Sequence, residues 1–411
     1  MRIALVIPEF DPSRGGAERW TYDFAGQLVA RGHEVHVVAE RFADVPEGVA
    51  AHRVESRAGG WSRRLSFAAE AEAALRRLDC EIVHDMGHGW YGNVFLPHGG
   101  TRQGSFRQNL LWQGRVAGWL KRAGAGVLPR YRTFRKLEER QYRCDGSRLF
   151  VALSEMVKRD MVRYHGVPDD LVRVVYNGVD TERFSPVHRA RDRDAVRRRL
   201  GVGSETLFLL VAHNFRLKGL FPLIEAMGLL AREGHGVRLA VVGRSNPRSF
   251  IAQARRQGCQ SRVAFLGDAG DPVPLYAAAD VYVQPTFYDP CSLVVLEALA
   301  SGLPVITSVY NGAGELLTPP REGYVLNDPA DVRELAGRMR ELLERERREE
   351  AGGAARRLAE AHSVGTNTEQ LLAVYREALR LPKGLACSRS SRSASWHWRR
   401  AISSVRSRSG T

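Results

Sequence analysis

The chain has 411 residues, a formal net charge of +15, and 44% hydrophobic and 26% charged residues. This length exceeds what one hydrophobic core usually supports, so it predicts two domains of roughly 180 residues each. No apolar run reaches the roughly 20 residues that a membrane-spanning helix needs. Five cysteines are widely spaced, without a Cys-x-x-Cys pair. They therefore indicate neither a disulfide framework nor a zinc site, and they favour a reducing cytoplasm.

The positive charge is concentrated in two places. Residues 102–143, here called the first basic segment, carry a net charge of +9, and residues 384–411 carry +6 without any acidic residue. The two together account for the whole net charge. Such local clusters indicate specific anionic surfaces as partners rather than nucleic acid bound across the molecule.

The chain opens with the pattern of a nucleotide-type α/β domain. An apolar strand over 3–7 leads through a loop with Gly15 and Gly16 into a helix over 17–30 and a strand over 35–38. Paired glycines let a ligand approach the backbone closely, although on their own they are equally typical of a tight turn. Neither predicted domain has Gly-x-Gly-x-x-Gly after its first strand, which argues against a dehydrogenase.

His98 follows a further predicted strand, over 94–96, and precedes two glycines. A lone histidine is usually structural, but the carboxyl ends of parallel strands are where α/β folds place ligands, so His98 is a candidate binding residue. His84 and His88 are four positions apart, yet the glycines around them oppose a helix. No metal site is therefore predicted there.

The first basic segment interleaves its charges with aromatic residues. Trp112, Val116 and Trp119 fall on one face of a helix, and Lys121 and Arg122 follow. A basic helix with tryptophan on its apolar face suits the interface of an anionic membrane, which is the favoured interpretation. A core-facing helix with a solvated basic side fits the same pattern, and RNA binding is a third alternative.

The second predicted domain begins with a strand over 207–212, whose exit loop contains Arg216 and Lys218. Cations at the carboxyl end of this strand would face a diphosphate and stabilise its charge. The Asp-Arg-Asp sequence at 192–194 lies in a run of charges rather than after a strand. It is interpreted as solvated surface and not as a metal site.

A short apolar strand over 281–283 is followed by Asp289 and Pro290 and then by a helix that contains Glu297. The first amides of that helix belong to Cys291, Ser292 and Leu293. Unpaired amides at a helix start, together with the helix dipole, favour an anion such as phosphate. Two carboxylates beside a phosphate site indicate hydroxyl-rich groups, although by spacing alone such a pair is more often solvated surface.

The acid-x7-Glu spacing is followed by Ala-Leu-Ala-Ser-Gly-Leu-Pro-Val at 298–305 and by Asn-Gly-Ala-Gly-Glu at 311–315. This order resembles the donor-sugar motif of the family 4 retaining glycosyltransferases of GT-B fold. The resemblance covers about residues 1–380. In the family the first acid is usually glutamate, whereas this chain has Asp289, whose side chain is one methylene shorter.

The resemblance implies an α/β protein of GT-B fold, in which two Rossmann-like, doubly wound domains face a cleft. The expected domains are an acceptor-side domain over 1–186 and a nucleotide-sugar-binding domain over 187–365. A helix over 366–382 is expected to cross back to the first domain. A disordered basic tail is expected over 383–411.

The resemblance also implies residue roles. Lys218 and Arg216 would stabilise the departing diphosphate, Asp289 and His98 would contact the sugar, and Glu297 would bind the ribose. The remaining donor contacts are expected from Gly15, Gly16, Leu266, Pro290, Cys291, Ser292 and Leu293. No metal and no cofactor are expected, since the nucleotide sugar is a co-substrate.

The function that follows is a retaining, metal-independent transfer of a hexose, expected to be glucose from UDP-glucose, to a membrane-associated glycan or glycolipid. Within the family, Tyr-Asp-Pro-Cys-Ser-Leu at 288–293 and the first basic segment look most like lipopolysaccharide core glucosyltransferases acting on heptose. The expected location is cytoplasmic, on the inner face of the membrane, through the first basic segment and the tail, without nucleic acid. A GT-B epimerase and a catalytically inactive nucleotide-sugar-binding protein are the alternatives.

Overall fold

The structure is a computed structural model that describes residues 1–111 and 129–382. The chain forms two compact units. The first comprises Met1–Val175 and, of the described residues, 368–382, and the second comprises Tyr176–Asn367. The tail over 383–411 and the helix expected around Trp112 and Trp119 lie outside the described residues.

The first unit contains a parallel sheet. In chain order its strands and helices are β1 (Arg2–Val6), β2 (Glu9–Phe10), α1 (Gly16–Ala30), β3 (Glu34–Ala39), β4 (Arg41–Phe42), β5 (Val49–Arg53), α2 (Arg63–Leu78), β6 (Ile82–Asp85), β7 (Val94–Phe95), α3 (Arg102–Leu111), α4 (Pro129–Gln141), β8 (Leu149–Ala152), α5 (Glu155–His165) and β9 (Val172–Val174). Among the described residues, seven strands pair in the order β5-β3-β1-β6-β7-β8-β9, and β2 pairs with β4 separately.

The second unit repeats this architecture. Its elements are α6 (Arg189–Arg199), β10 (Thr206–Val211), α7 (Leu220–Arg232), β11 (Val237–Val242), α8 (Arg248–Arg256), β12 (Val263–Gly267), α9 (Val273–Ala278), β13 (Val281–Val283), α10 (Leu293–Ala300), β14 (Val305–Ser308), β15 (Gly323–Leu326), α11 (Val332–Glu341) and α12 (Arg345–Ala361). The parallel strands of this unit run in the order β12-β11-β10-β13-β14-β15. Leu223 and Met227 of α7 and Leu335 and Met339 of α11 belong to one buried cluster with β10 and β11.

Both sheets are doubly wound, which confirms the predicted α/β class. The first strand of each unit lies inside its sheet, so that β1 has β3 and β6 as neighbours and β10 has β11 and β13. Central strands of parallel sheets are covered on both faces and read as continuous apolar runs, as residues 3–6 do. The strand order reverses beside β1 and β10, and the carboxyl ends of the strands at such a point form a crevice for ligands.

The last helix, α13 (Val364–Ala378), begins in the second unit and continues into the first. The Tyr375 hydroxyl lies 2.6 Å from Nδ1 of His84, and both side chains are buried. Arg173 donates to Glu377 at 2.9 Å. This is the return crossing that the family resemblance predicts.

The division between the units lies at Val175 and Tyr176, ahead of the expected boundary at 186. Asn177 donates through Nδ2 to the carbonyl of Cys291 at 2.8 Å. The Val179 amide donates to His362, and the Val179 carbonyl accepts from Val364, both at 3.0 Å. These bonds attach the residues after Val175 to the second unit.

The charged stretch over 331–348 does not form one continuous helix, because α11 ends before α12 begins. The Arg348 guanidinium donates to the carbonyls of Leu342 at 2.9 Å and Leu343 at 2.6 Å. The last carbonyls of a helix lack intrahelical partners. Arg348 supplies such partners, which stabilises the break.

Asp280 attaches helix α6 to the start of β13. It accepts from Arg193 at 2.6 Å, from Arg197 at 2.9 Å and from the Leu207 amide at 2.8 Å. Burial would raise the pKa of Asp280, but the Leu207 amide and the two guanidiniums outweigh it and hold that pKa below its ordinary value. The carboxylate therefore stabilises the fold at neutral pH, and this contribution is lost as the pH falls through the lowered pKa.

We expect Asp280→Asn to lower the free energy of unfolding by about 3 kcal/mol at pH 7, because it leaves buried guanidiniums without their counter-charge. Urea unfolding measures this value. Asp192→Asn is the matched control in α6, since Asp192 pairs with Arg191, whose side chain is 66% exposed. The control should cost less than about 1 kcal/mol. Equal losses in the two variants would contradict the anchoring role.

Over residues 1–111 and 129–382, each helix is either too short or too polar to span a membrane.

Candidate functional site

The loops that follow β10 and β13 meet at the reversal point of the second sheet. The Phe287 amide and the Thr286 hydroxyl donate to the carbonyl of Leu217, at 2.8 and 3.1 Å. Gly219, which precedes α7, has φ of +78°. A Cβ at Gly219 would lie 1.9 Å from the Pro285 carbonyl oxygen. Only glycine therefore fits this turn without displacing the neighbouring loop.

Lys218 and Asp289 form an ion pair in these loops. Nζ of Lys218 lies 2.5 Å from Oδ2 of Asp289 and 3.4 Å from the carbonyl oxygen of Tyr288. The two side chains are only 18% and 13% exposed. A lysine ammonium has three donors, and the third has no partner among the described residues. The structure thus brings together two residues whose roles were predicted separately.

The loop after β14 holds Asp289 in place. The Asp289 amide donates to the carbonyl of Tyr310 at 2.8 Å, and the Asp289 carbonyl accepts from the Gly312 amide at 2.9 Å. Asp289 and Asn311 form an isolated parallel bridge. The backbone of the acid is therefore fixed on both sides.

Asn311 is fully buried and connects this loop to helix α10. Its Oδ1 accepts from the amides of Ser292 at 3.2 Å and Ala313 at 3.1 Å, and its Nδ2 donates to Thr307 at 2.9 Å. The Ser292 hydroxyl donates to Gln284 at 3.0 Å. The amide of Ser292, expected to face an anion, is thus already hydrogen-bonded.

Pro290, Cys291 and Leu293 are the neighbours of Ser292 at the start of α10. The amide of Leu293 makes no hydrogen bond within the described residues. Pro290 is half-buried next to Asp289. Cys291 is buried, and this burial raises the pKa of its thiol far above the ordinary value. The Cys291 thiol is therefore uncharged. The carbonyl of Cys291 accepts the hydrogen bond from Asn177.

Glu297 lies on α10 and is positioned by a buried tyrosine. The Tyr276 hydroxyl donates to Oε2 of Glu297 at 2.8 Å and approaches the Val294 carbonyl at 3.3 Å. Burial, followed by the nearby Glu297 charge, raises the pKa of Tyr276 well above its ordinary value, so the phenol stays protonated as a donor. The carboxylate is half-buried, with one oxygen oriented by Tyr276.

Arg216 is exposed in the same loop as Lys218. Its guanidinium carbon lies 5.2 Å from the ring centre of Phe221. It lines a cavity of about 390 Å³ together with Ser245, Asn246 and Arg248. The structure therefore does not bring Arg216 into contact with the carboxylate that binds Lys218. Two cations face this cavity instead.

Leu266 is half-buried in the edge strand β12, close to the strand's carboxyl end. The amide of Gly243, after β11, donates to the carbonyl of Gly267 at 2.7 Å. Leu266 therefore lies at the same edge of the sheet from which the loops of Lys218 and Asp289 emerge.

Gly15, Gly16 and His98 belong to the first unit. Gly15 precedes helix α1, and Gly16 begins it. The His98 ring lies 4.4 Å from the ring of Trp20, and its Nε2 is buried without a hydrogen-bond partner among the described residues. Burial, followed by the effect of His88, lowers the pKa of His98 to about 3. His98 is therefore a neutral hydrogen-bonding group at physiological pH.

Sequence reasoning missed Tyr276, Gln284 and Trp20 as supporting residues. A buried tyrosine needs a hydrogen-bond partner for its hydroxyl. The position of Tyr276 within an apolar helix therefore predicts a polar partner near that helix. Gln284 directly follows the apolar strand β13, which is a second such signal. Nothing in the sequence connects Trp20 to His98.

Two doubly wound α/β units with parallel sheets in one chain are the architecture of the GT-B fold. Two family profiles match successive parts of the chain. Glycosyltransferase Family 4 matches residues 14–183, and Glycosyl transferases group 1 matches residues 192–358. The chain belongs to the family 4 glycosyltransferases and has the GT-B fold.

Two of the similar proteins are glycosyltransferases with named activities. The lipopolysaccharide glucosyltransferase WaaG of Escherichia coli K12 is 24% identical over 365 residues, which cover 84% of this chain and 90% of WaaG. The GDP-mannose-dependent α-(1-6)-phosphatidylinositol monomannoside mannosyltransferase of Mycobacterium tuberculosis is 28% identical over 378 residues, covering 87% of this chain and 92% of that enzyme.

Solved structures show the same fold. The crystal structure of WaaG matches with a TM-score of 0.77 at 23% identity and covers 91% of this chain and 99% of WaaG. Anabaena Alr3699/HepE in complex with UDP-glucose matches with a TM-score of 0.69 at 19% identity, covering 92% and 100%.

Proposed function

We propose that this glycosyltransferase transfers glucose from UDP-glucose, with retention of the anomeric configuration and without a metal ion, to a membrane-associated glycan acceptor such as a lipopolysaccharide core heptose. The observation that carries the proposal is the Lys218–Asp289 pair at the reversal point of the second sheet. WaaG and the UDP-glucose complex of Alr3699/HepE support the choice of donor. The first basic segment would hold the enzyme at the inner face of the cytoplasmic membrane.

Lys218 would stabilise the departing diphosphate. Its third donor is available for a phosphate oxygen, while Asp289 and the Tyr288 carbonyl orient the ammonium group. A pre-positioned charge in a mostly buried site stabilises developing negative charge strongly. The Leu293 amide at the start of α10 adds a backbone donor. Arg216 would complete the diphosphate contacts.

Asp289 and His98 would bind the glucose. Oδ1 of Asp289 makes no hydrogen bond among the described residues, so it can accept from a sugar hydroxyl while Oδ2 holds Lys218. The buried Nε2 of neutral His98 can serve the same sugar. Glu297, whose carboxylate Tyr276 orients, would accept from the ribose hydroxyls. Leu266 would contact the base through its backbone, and Gly15 and Gly16 would allow close approach of the ligand.

The reaction would be a front-face displacement. The bond between the glucose anomeric carbon and the diphosphate oxygen breaks, and a bond to the acceptor hydroxyl oxygen forms on the same face. The proton of that hydroxyl passes to the departing phosphate oxygen. No protein nucleophile is needed, and the first unit would hold the acceptor.

A panel of donors tests the proposal. UDP-glucose, UDP-galactose, GDP-mannose and ADP-heptose are added separately to the full chain, and the melting temperature is measured. We expect UDP-glucose to raise it most, since a ligand at about 100 times Kd adds roughly 2.7 kcal/mol. A larger shift with another donor would replace the assigned sugar, and no shift with any donor would overturn the donor site.

Assays of turnover distinguish a glycosyltransferase from an epimerase and from an inactive binding protein. With an acceptor we expect an α-linked product by NMR and an unchanged rate in EDTA. Incubation with UDP-glucose alone should yield no epimerised sugar. An epimerised product would identify an epimerase, and tight donor binding without any turnover would identify a binding protein.

A further inference from the structure

The first unit contains a cavity of about 400 Å³ at the carboxyl ends of the neighbouring strands β6 and β7. Met86 and His88, which follow β6, line it, as do Pro97 and Gly99, the two neighbours of His98 in the chain. Helices α2, α3 and α4 supply the remaining walls. The cavity thus adjoins the loop that carries a predicted sugar-binding residue.

Two arginines face this cavity without a counter-charge in contact. Arg64 of α2 and Arg102 of α3 place their guanidinium carbons 5.1 and 4.6 Å from the ring centre of Phe134. Neither guanidinium makes a hydrogen bond or an ion pair among the described residues. Burial, followed by the repulsion of Arg102, lowers the pKa of Arg64, and burial also lowers the pKa of Arg102. Two cations thus lie around one aromatic ring, Arg102 half-buried and Arg64 exposed.

Glu138 is the acid that lines the same cavity. Its side chain is buried, at 6% exposure, and its Oε1 has no partner among the described residues. Burial raises the pKa of Glu138 to about 7, although Arg102 opposes the increase. Even when Glu138 is ionised, two positive charges face one negative charge. When it is protonated, it adds a hydrogen-bond donor.

His88 also lines the cavity as a neutral group. Burial, followed by the charges of Arg102 and Arg64, lowers the pKa of His88 to about 3. The cavity walls therefore combine two guanidinium forks, a neutral imidazole and aromatic rings. Guanidiniums bind phosphate and carboxylate through paired N–H groups, and a neutral imidazole both donates to and accepts from hydroxyls.

We propose that this cavity binds an acidic substituent, phosphate or carboxylate, carried by the acceptor sugar, through Arg64 and Arg102. The proposal deepens the acceptor role of the first unit and rests on the proposed function. The anion supplies the charge that the two guanidiniums lack. The acceptor sugar, a heptose or another sugar, accordingly carries an acidic substituent, and binding of that substituent positions the acceptor hydroxyl beside the His98 loop.

Calorimetric titration of the full chain, without donor, tests the proposal. The probes are glucose 6-phosphate, glucuronate and neutral glucose. We expect one of the two acidic sugars to bind at least tenfold more tightly than glucose, and the tighter one assigns the acidic group. Arg64→Gln and Arg102→Gln should each weaken that binding at least tenfold. Glu138→Gln, which keeps a donor and removes an acid, should retain it.

Arg77→Gln is the matched control, since Arg77 is an exposed arginine of the same helix α2. It should leave the affinity unchanged. Lys218→Ala should also leave it unchanged, which separates this cavity from the diphosphate site. Equal binding of glucose and both acidic sugars, or unaltered binding in both cavity variants, would overturn the proposal. UDP-glucose binding is measured in a separate titration. A wrong donor assignment can therefore be distinguished from a wrong assignment of this cavity.

Discussion

Lys218→Ala is expected to lower kcat by about 100- to 1,000-fold, with a much smaller change in the KM for UDP-glucose. The side chain is held by Asp289 in a mostly buried position, and the charge that it meets develops only as the diphosphate departs. Removal of one such pre-positioned group typically costs about this factor. Initial rates at saturating donor and acceptor measure it.

Two further variants make the interpretation of this result specific. Lys218→Arg keeps the positive charge and should lose less activity than Lys218→Ala. Lys158→Ala removes a lysine that forms an ion pair with Asp169 in the first unit at 2.9 Å, and it should leave kcat unchanged. A loss of less than about threefold in Lys218→Ala, with the protein still folded, would exclude Lys218 from the chemical step.

Gly219→Ala is expected to reduce activity at least as strongly as Lys218→Ala, because it changes the backbone of the Lys218 loop. An L-residue at φ of +78° is strained by about 1–2 kcal/mol. In addition, the new methyl group would overlap the Pro285 carbonyl oxygen at 1.9 Å. The loop of Lys218 and the loop of Asp289 must then separate, which breaks the ion pair. Both kcat and the urea midpoint should fall.

Gly234→Ala tests the effect of backbone strain at positive φ without any steric overlap. Gly234 follows the same helix α7 and has φ of +82°, but no atom of the described chain lies within 4 Å of an added Cβ. This variant should lose about 1–2 kcal/mol of stability and keep its kcat. Equal activities of the two alanine variants would show that the contact at Gly219 does not position the site.

The buried strands were predictable because central parallel strands are apolar on both faces. Strands β1, β10 and β13 were found in this way to within one or two residues. Strand β5 was not, because it lies at the sheet edge with mostly exposed side chains. The sequence also does not mark the division between the units at Val175. It depends on hydrogen bonds from Asn177 and Val179 to residues far along the chain, which leave no periodic pattern.

The candidate site could also be predicted only in part, because contacts between distant residues leave no local pattern in the sequence. Lys218 and Asp289 were each selected from a local motif, but 71 positions separate them, and nothing in either motif indicates their contact. The orientation of Glu297 by Tyr276 also depends on tertiary packing. Arg216 shows the opposite case, since its position in the loop was clear while the direction of its side chain was not.

The return of α13 to the first unit has a consequence for biosynthesis. Domains usually fold one after another as the chain leaves the ribosome, beginning with the N-terminal one. Here the buried Tyr375 that bonds to His84 is synthesised about 200 residues after β9, the last strand of the first sheet. The first unit cannot complete its core until the second has been made. We therefore expect the first unit to stay incompletely folded until α13 has been synthesised, so that the second unit completes its fold first.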